Sequence, residues 1–341
     1  MYDAPSVPPL DDVPAAGSST ENGIDSSTPP SAVFEWLKSD VRPVVDDRIA
    51  DIVGDSSFSE RLAYQVETGG KRVRPGLTLT AAELCGLERD RALDIAACVE
   101  LIHTYSLVHD DLADGDRTRR GEPTFWDVFG RPDAVNVGDM LLSYALEALP
   151  ESVTERAIAT VRTMTEGQQL DFDFTGRRDC TVEDYLTMVW KKTGVLLDFC
   201  IAAPQLASGT TLAVDEKRLG RLWQAFQIRD DVLDLEPNSG RDAIGSDVRA
   251  GKRTLMAVHA DDEAIYDILD KPPAETSDAD VEFVRERSEA HGSIQFARHR
   301  MRVHARDAVR TLDDLPDCPQ RDRLLSLCEY VVARGTDSQG Q

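Results

Sequence analysis

The chain has 341 residues, is 41% hydrophobic, and sets 62 acidic against 38 basic side chains for a formal net charge of −24. That length can bury a large core, and that charge excludes nucleic acid as a partner, because a phosphate backbone demands a basic surface. No long uninterrupted apolar run and no basic-then-apolar leader appears, so the expectation is a cytoplasmic protein with no membrane span.

In chain order, residues 1–32 are rich in Pro, Ser, Gly and Asp without helical period and read as a disordered acidic tail. From Phe34 nearly every segment carries the helical period, with runs at 82–112, 134–148, 151–172, 182–207 and 216–235 broken by Gly or Pro. Hairpin signals are scarce, Pro272 and Pro273 mark a surface loop, and residues 336–341 should fray. The predicted fold class is all-α: one helical bundle over 33–335. The six cysteines, Cys85, Cys98, Cys180, Cys200, Cys318 and Cys328, show no CxxC pairing and read as reduced thiols. The acid excess is spread along the chain, the pattern of a protein kept soluble where salt screens its self-repulsion.

Two aspartate clusters carry the most information: Asp110, Asp111 and Asp114 in LVHDDLAD, and Asp230, Asp231 and Asp234 in IRDDVLD. Helical residues i and i+4 share a face about 6 Å apart along the axis, so each cluster presents a pair of carboxylates. Two such faces opposed across a cavity form a hard-oxygen cage for Mg²⁺ and the diphosphate it accompanies. Asp is so frequent here that a DDxxD spacing is expected about once by chance. Indeed Asp313, Asp314 and Asp317 repeat it, but Pro316 breaks their helix and no apolar run leads in, so that copy reads as a solvated loop.

Cations stand out against the acidic background. In Gly69-Gly70-Lys71-Arg72-Val73-Arg74-Pro75, Lys71 and Arg74 are three apart and can face one side of a first helical turn. His103 precedes Asp110 by two turns on the same stripe and should look into the same cavity, whereas His109 reads as structural. Arg119 and Arg120 follow the first cluster after a short turn. Lys192, Thr193 and Gly194 interrupt an apolar helix, suggesting a kink or a close approach. Gln227 sits on nearly the same face as Asp230, and Lys252 closes GSDVRAGK. Gly167, Gln168 and Asp171 form a further polar patch that fits a site and a surface equally well.

Together GGKRVRP, HTYSLVHDDLADGDRTRRGEPT, WKKTG, FQIRDDVLD and GSDVRAGKRTL resemble, in order and spacing, the polyprenyl diphosphate synthases, the trans-prenyltransferases of isoprenoid synthesis, in their archaeal short-chain form. The resemblance runs from about residue 34 to 334 and implies an isoprenoid synthase bundle, a homodimer, with a deep apolar cavity and three Mg²⁺ per active site. It implies that Gly70, Lys71, Arg74, His103 and Arg120 grip isopentenyl diphosphate. Arg119, Lys192, Thr193, Gln227, Arg241 and Lys252 are similar to the grip on the allylic diphosphate. Asp110, Asp114 and Asp230 are similar to the direct metal ligands, with Asp111, Asp231 and Asp234 in support. The chain departs from the family at Arg241, where a lysine is usual, and at Trp126, where many relatives carry histidine.

Product length depends on cavity depth. Tyr105 lies five residues before Asp110, about 7.5 Å down the helix axis, followed by Ser106, and a ring there would act as a floor. That pattern resembles geranylgeranyl diphosphate synthases, with farnesyl diphosphate synthesis as the alternative. A class I terpene cyclase would share the metal cage without a second diphosphate grip. A non-catalytic partner subunit would be expected to have lost one aspartate motif, and both are intact.

Overall fold

The computed structural model describes residues 30–55, 58–67, 70–119, 121–236 and 244–333. The tail expected over 1–32 falls almost wholly outside these residues, as do the fraying end, Gly69, Arg120 and Arg241. The chain opens with α1 (Pro30–Trp36), runs through one π-helical turn (Leu37–Val41) into α2 (Arg42–Val53), then α3 (Ser59–Glu67), α4 (Val73–Leu84) and α5 (Arg89–Asp114). A two-stranded antiparallel ribbon, β1 (Thr118–Arg119) with β2 (Glu122–Pro123), precedes α6 (Phe125–Phe129), α7 (Arg131–Ala148) and α8 (Glu151–Phe174). Next come α9 (Val182–Val189), a second π-turn (Trp190–Gly194), α10 (Val195–Ser208), α11 (Glu216–Leu219) and α12 (Arg221–Asp234). The last elements are α13 (Ser246–Arg249), α14 (Leu255–Ala260), α15 (Glu263–Leu269), α16 (Asp278–Ala290), α17 (Ser293–Arg310) and α18 (Pro319–Ala333).

The all-α class expected from the periodicity is therefore what the chain adopts. Two predicted runs are corrected, the first being 82–112, which is two helices. α4 stops because Gly86 takes a left-handed φ of 62°, and α5 restarts where the Glu88 side chain accepts a hydrogen bond from the Asp90 amide. Likewise 216–235 divides at Gly220 into α11 and α12. The decoy Asp313–Asp317 region lies in turns beyond α17, with Asp317 almost fully solvent-exposed.

At 26 residues α5 is about 39 Å long and forms the spine of the bundle. It packs along α7 and against α4, while α10 lies between α4 and α8, and α12 runs along α17. Leu77, Leu101, Leu141, Phe199 and Leu222 centre the main core, and Tyr185, Ile228, Met256 and Ile265 centre a second cluster around α9, α12 and α14. Both aspartate clusters sit at the C-terminal ends of their helices, α5 and α12, where buried helical stripes give out. None of the six cysteines is paired. No described helix is long and apolar enough to cross a membrane.

Candidate active site

The end of α5 divides its three aspartates between two sides. Asp110 and Asp114, one turn apart, point toward two lysines: Lys192 Nζ stands 3.4 Å from Asp110, and Lys252 Nζ 3.6 Å from Asp114. Asp111 turns the other way, buried, and accepts a 2.7 Å hydrogen bond from Arg119 Nε. Asp110 Oδ1 is buried without a hydrogen-bond partner. Burial pushes the Asp114 carboxyl up; Lys252 opposes that and Asp110 adds to it.

Lys192 is delivered by the π-turn, in which the Val195 amide donates to the Trp190 carbonyl and one residue bulges from the helix. Its ammonium also lies 2.7 Å from Asp171 of α8. Burial works against the Lys192 charge, but Asp110 and Asp171 outweigh it and raise its pKa. Thr193, next in the turn, donates to the Val189 carbonyl at 2.8 Å. α8 approaches this turn at Gly167, where a Cβ would lie 2.2 Å from the Lys192 amide nitrogen, so the close approach expected at this turn is made through a glycine of the facing helix.

A cavity of about 240 Å³ opens beside Asp110. Arg74, His103, Asp110, Lys192 and Thr193 supply its polar groups, and Leu107, Met164 and Leu196 its apolar walls, with Tyr105 and Ser106 among the lining residues. Behind Lys192 and Thr193 lies a smaller recess with Gln227, Asp231, Asp247 and Lys252, so the same two residues border both spaces. Asp231 accepts from Tyr185 Oη at 2.7 Å and Gln227 Nε2 at 2.9 Å. Burial, then Asp247, lifts its carboxyl above the ordinary range against those two bonds. Asp234 is buried and organises the following loop, accepting from the Ser246 amide and hydroxyl and from the Asp247 amide. Asp230 sits apart from this recess, 2.9 Å from Arg229.

A third cleft, across α5, is lined by Gly70, Arg72, Glu100, His103, Asp111 and Arg119. His103 thus borders two spaces. Arg119 also borders this cleft: it is bound to buried Asp111 and lies 3.9 Å from Asp110, the carboxylate that Lys192 meets from the other side. One grouping expected from spacing changes. Lys71 and Arg74 do not share one side of a turn: α4 begins only at Val73, Arg74 reaches the main cavity with its guanidinium 4.5 Å from the Trp223 ring, and Lys71 lies 5.1 Å from the Phe34 ring and 5.5 Å from the Tyr330 ring. His109, read as structural, borders the main cavity.

Several polar groups of these spaces were missed or undervalued. Arg72 is buried at a left-handed φ of 54° and binds Asp46 Oδ1 at 2.7 Å and Glu100 Oε1 at 2.8 Å, fixing the chain where α4 begins. Glu100 inside the apolar run CVELIHT was the readable signal, since a carboxylate on a buried stripe needs a partner. Asp171, Tyr185 and Asp247 carry weaker signals. The all-carboxylate cage is also modified. Among the described residues no three His, Cys, Asp or Glu side chains converge tightly enough to hold a metal; Lys192 and Lys252 stand among the acids and offset their repulsion.

In this all-α bundle one aspartate-tipped helix end meets Lys192 and Lys252 beside an apolar cavity, and Asp231 of a second such end lines the adjoining recess with the same lysines, an arrangement of prenyltransferase type. The model of the polyprenyl synthetase family matches residues 55–284, and the chain belongs to that family. It is 33% identical over 311 residues to the short chain isoprenyl diphosphate synthase of Methanothermobacter thermautotrophicus, covering 85% of this chain and 95% of that protein. It is 34% identical over 303 residues to the geranylfarnesyl diphosphate synthase of Natronomonas pharaonis, covering 80% and 88%. The crystal structure of geranylgeranyl pyrophosphate synthetase from Pyrococcus horikoshii superposes with a TM-score of 0.79 at 32% identity, over 89% of this chain and 98% of that one.

Proposed function

We propose that this enzyme joins isopentenyl diphosphate head to tail with an allylic diphosphate to give a short-chain all-trans prenyl diphosphate, geranylgeranyl diphosphate, with farnesyl diphosphate as the alternative product. The observation that carries this reading is the placement of Lys192 between Asp110 and Asp171 beside the apolar cavity, and of Lys252 against Asp114 in the adjoining recess. The proposal places a cytoplasmic homodimer with its catalytic unit over 33–335.

The donor set suits Mg²⁺: hard carboxylate oxygens, one of them Asp110 Oδ1, buried without a hydrogen-bond partner, beside ammonium groups that suit a polyanion. Asp110, Asp114 and Asp230 would hold the ions, three per site, with diphosphate oxygens completing their shells, and Asp111, Asp231 and Asp234 would orient the two helix ends. When bound, the ions neutralise charge developing on the leaving diphosphate. Lys192, Thr193, Gln227, Lys252 and Arg241 grip the allylic diphosphate, and the two lysines are held cationic by neighbouring carboxylates. Arg119, 3.9 Å from Asp110, grips the allylic diphosphate with them, and Gly70, Lys71, Arg74, His103 and Arg120 grip isopentenyl diphosphate. Leu107, Met164 and Leu196 exclude water from the allylic carbon as its C–O bond ionises. The departing diphosphate takes the final proton, so no side chain is required as general base.

The test is to incubate the purified full chain with Mg²⁺, labelled isopentenyl diphosphate and each allylic primer, and to weigh the products. Prenyl diphosphates of about twenty carbons are expected. Cyclised hydrocarbon made without isopentenyl diphosphate would replace this reading with a cyclase, and an inert chain would replace it with a partner subunit.

A further inference from the structure

The wall of the main cavity between α5 and α7 is closed by a side chain that the condensation does not use. His109 follows Tyr105 by one turn on α5, so the two rings lie on one face. They meet edge to face, with centroids 4.9 Å apart and planes at 68°, an arrangement that aromatic quadrupoles favour. On its other side His109 fills the space over Gly138 of α7, where a Cβ would come within 2.1 Å of Nε2. The same nitrogen lies 3.3 Å from the Val135 carbonyl oxygen and 3.8 Å from Asp139. The imidazole is therefore wedged between the Tyr105 ring and the backbone of a neighbouring helix. Both rings line the cavity.

We propose that His109, seated in the notch left by Gly138, is a positioning residue that braces Tyr105 and so sets how many five-carbon units the product contains. This inference rests on the reading of Tyr105 as the cavity floor. An unbraced tyrosine on a helix has alternative staggered rotamers and can swing aside under a lengthening apolar chain. With His109 at its edge and α7 behind His109, the swing toward α7 is closed. Gly138 matters because any side chain there would drive the imidazole back onto the tyrosine. The obstructing atoms are the tip of a rotatable side chain, so the fold tolerates the change and the cavity absorbs it.

The test uses the full-length protein with labelled isopentenyl diphosphate and a farnesyl primer, reading product lengths by mass at matched conversion. Tyr105→Ala and His109→Ala are both expected to shift the main product up by at least one five-carbon unit. Gly138→Ala is expected to shift it down or at least double the fraction of shorter product. A shift in Tyr105→Ala with none in His109→Ala or Gly138→Ala overturns the brace and leaves the floor standing; no shift in any variant overturns the floor and the brace with it. If His109→Ala turns over too slowly to read, Gly138→Ala decides, since both rings remain in place: an unchanged distribution overturns the proposal.

Discussion

Lys252 reaches across the bundle to within 3.6 Å of Asp114, which ties the loop after the second aspartate cluster to the end of the first. The two clusters lie more than a hundred residues apart in sequence, and this contact places them around one space. Lys252 carries its charge in spite of burial, because Asp171, Asp247 and Asp114 surround it. Lys252→Gln should raise the KM for the allylic diphosphate by about tenfold to a hundredfold, the range for losing one hydrogen bond to a charged group. Steady-state kinetics with the allylic substrate varied would show it, and an unchanged KM would remove Lys252 from the site.

Asp110→Asn keeps the size of the side chain and removes the negative charge from a buried oxygen whose nearest cation is the Lys192 ammonium at 3.4 Å. Turnover should fall by about 10² to 10³, the cost typical of losing one preorganised electrostatic contact to the transition state. The melting temperature should stay within about 2 °C, as expected of a partly exposed substitution away from the core. Near-normal turnover would refute the metal-binding role.

Gly167→Ala tests the seat of Lys192. The new methyl would stand 2.2 Å from the Lys192 amide nitrogen and 2.6 Å from the Lys191 carbonyl carbon, and backbone atoms cannot rotate out of the way. Overpacking of this kind costs about 1–3 kcal/mol. It should also displace the ammonium from Asp110, so both stability in urea and kcat should drop. Full activity with unaltered stability would mean that α8 can slide without consequence.

The residues readable from sequence were those whose chemistry and periodicity agree. Asp110 and Asp114 share a face by helical spacing alone, and His103 falls on the same stripe. Gly194 and Thr193 in an apolar helix betrayed the turn at Lys192. What spacing could not supply was the direction of side chains near helix starts, so Lys71 and Arg74 separate. Nor could it give partners brought in by tertiary contact: Asp171 of α8 meets Lys192, and Gly138 seats His109 from another helix. Arg72 carries no mark of its role within the motif, because its partners Asp46 and Glu100 lie far away in sequence.

Trp126, a departure without explanation in the sequence, has a physical role in the fold. Its Nε1 donates to the Asp116 carbonyl at 2.7 Å, the same oxygen that takes the Thr124 hydroxyl, and its ring lies near the guanidinium groups of Arg117 and Arg131. The indole thereby pins the ribbon that carries Arg119. Trp126→Phe should cost about 1 kcal/mol, the net value of one hydrogen bond. Because Arg119 would then be held less firmly, the KM for the allylic diphosphate should rise severalfold with kcat nearly kept. A loss confined to kcat would separate the ribbon from substrate binding.

Acid stability should be governed in part by His304. This side chain is almost fully buried on α17, with neither ring nitrogen hydrogen-bonded, and burial followed by the Arg221 and Arg300 charges pushes its pKa down to about 3. An unfolded histidine titrates near 6.5, so between the two values the unfolded chain binds the extra proton and the folded one does not. The neutral ring is thus compatible with full stability above pH 6.5, and stability falls as the pH drops from there toward 3, by on the order of 1 kcal/mol per pH unit from this group. His304→Phe removes the titration and two unsatisfied nitrogens while keeping an aromatic ring in place. It should flatten the fall in unfolding free energy between pH 6 and 4, measured by urea denaturation at constant high salt. An acid profile that matches the parent protein would show that the carboxylates alone set the acid limit.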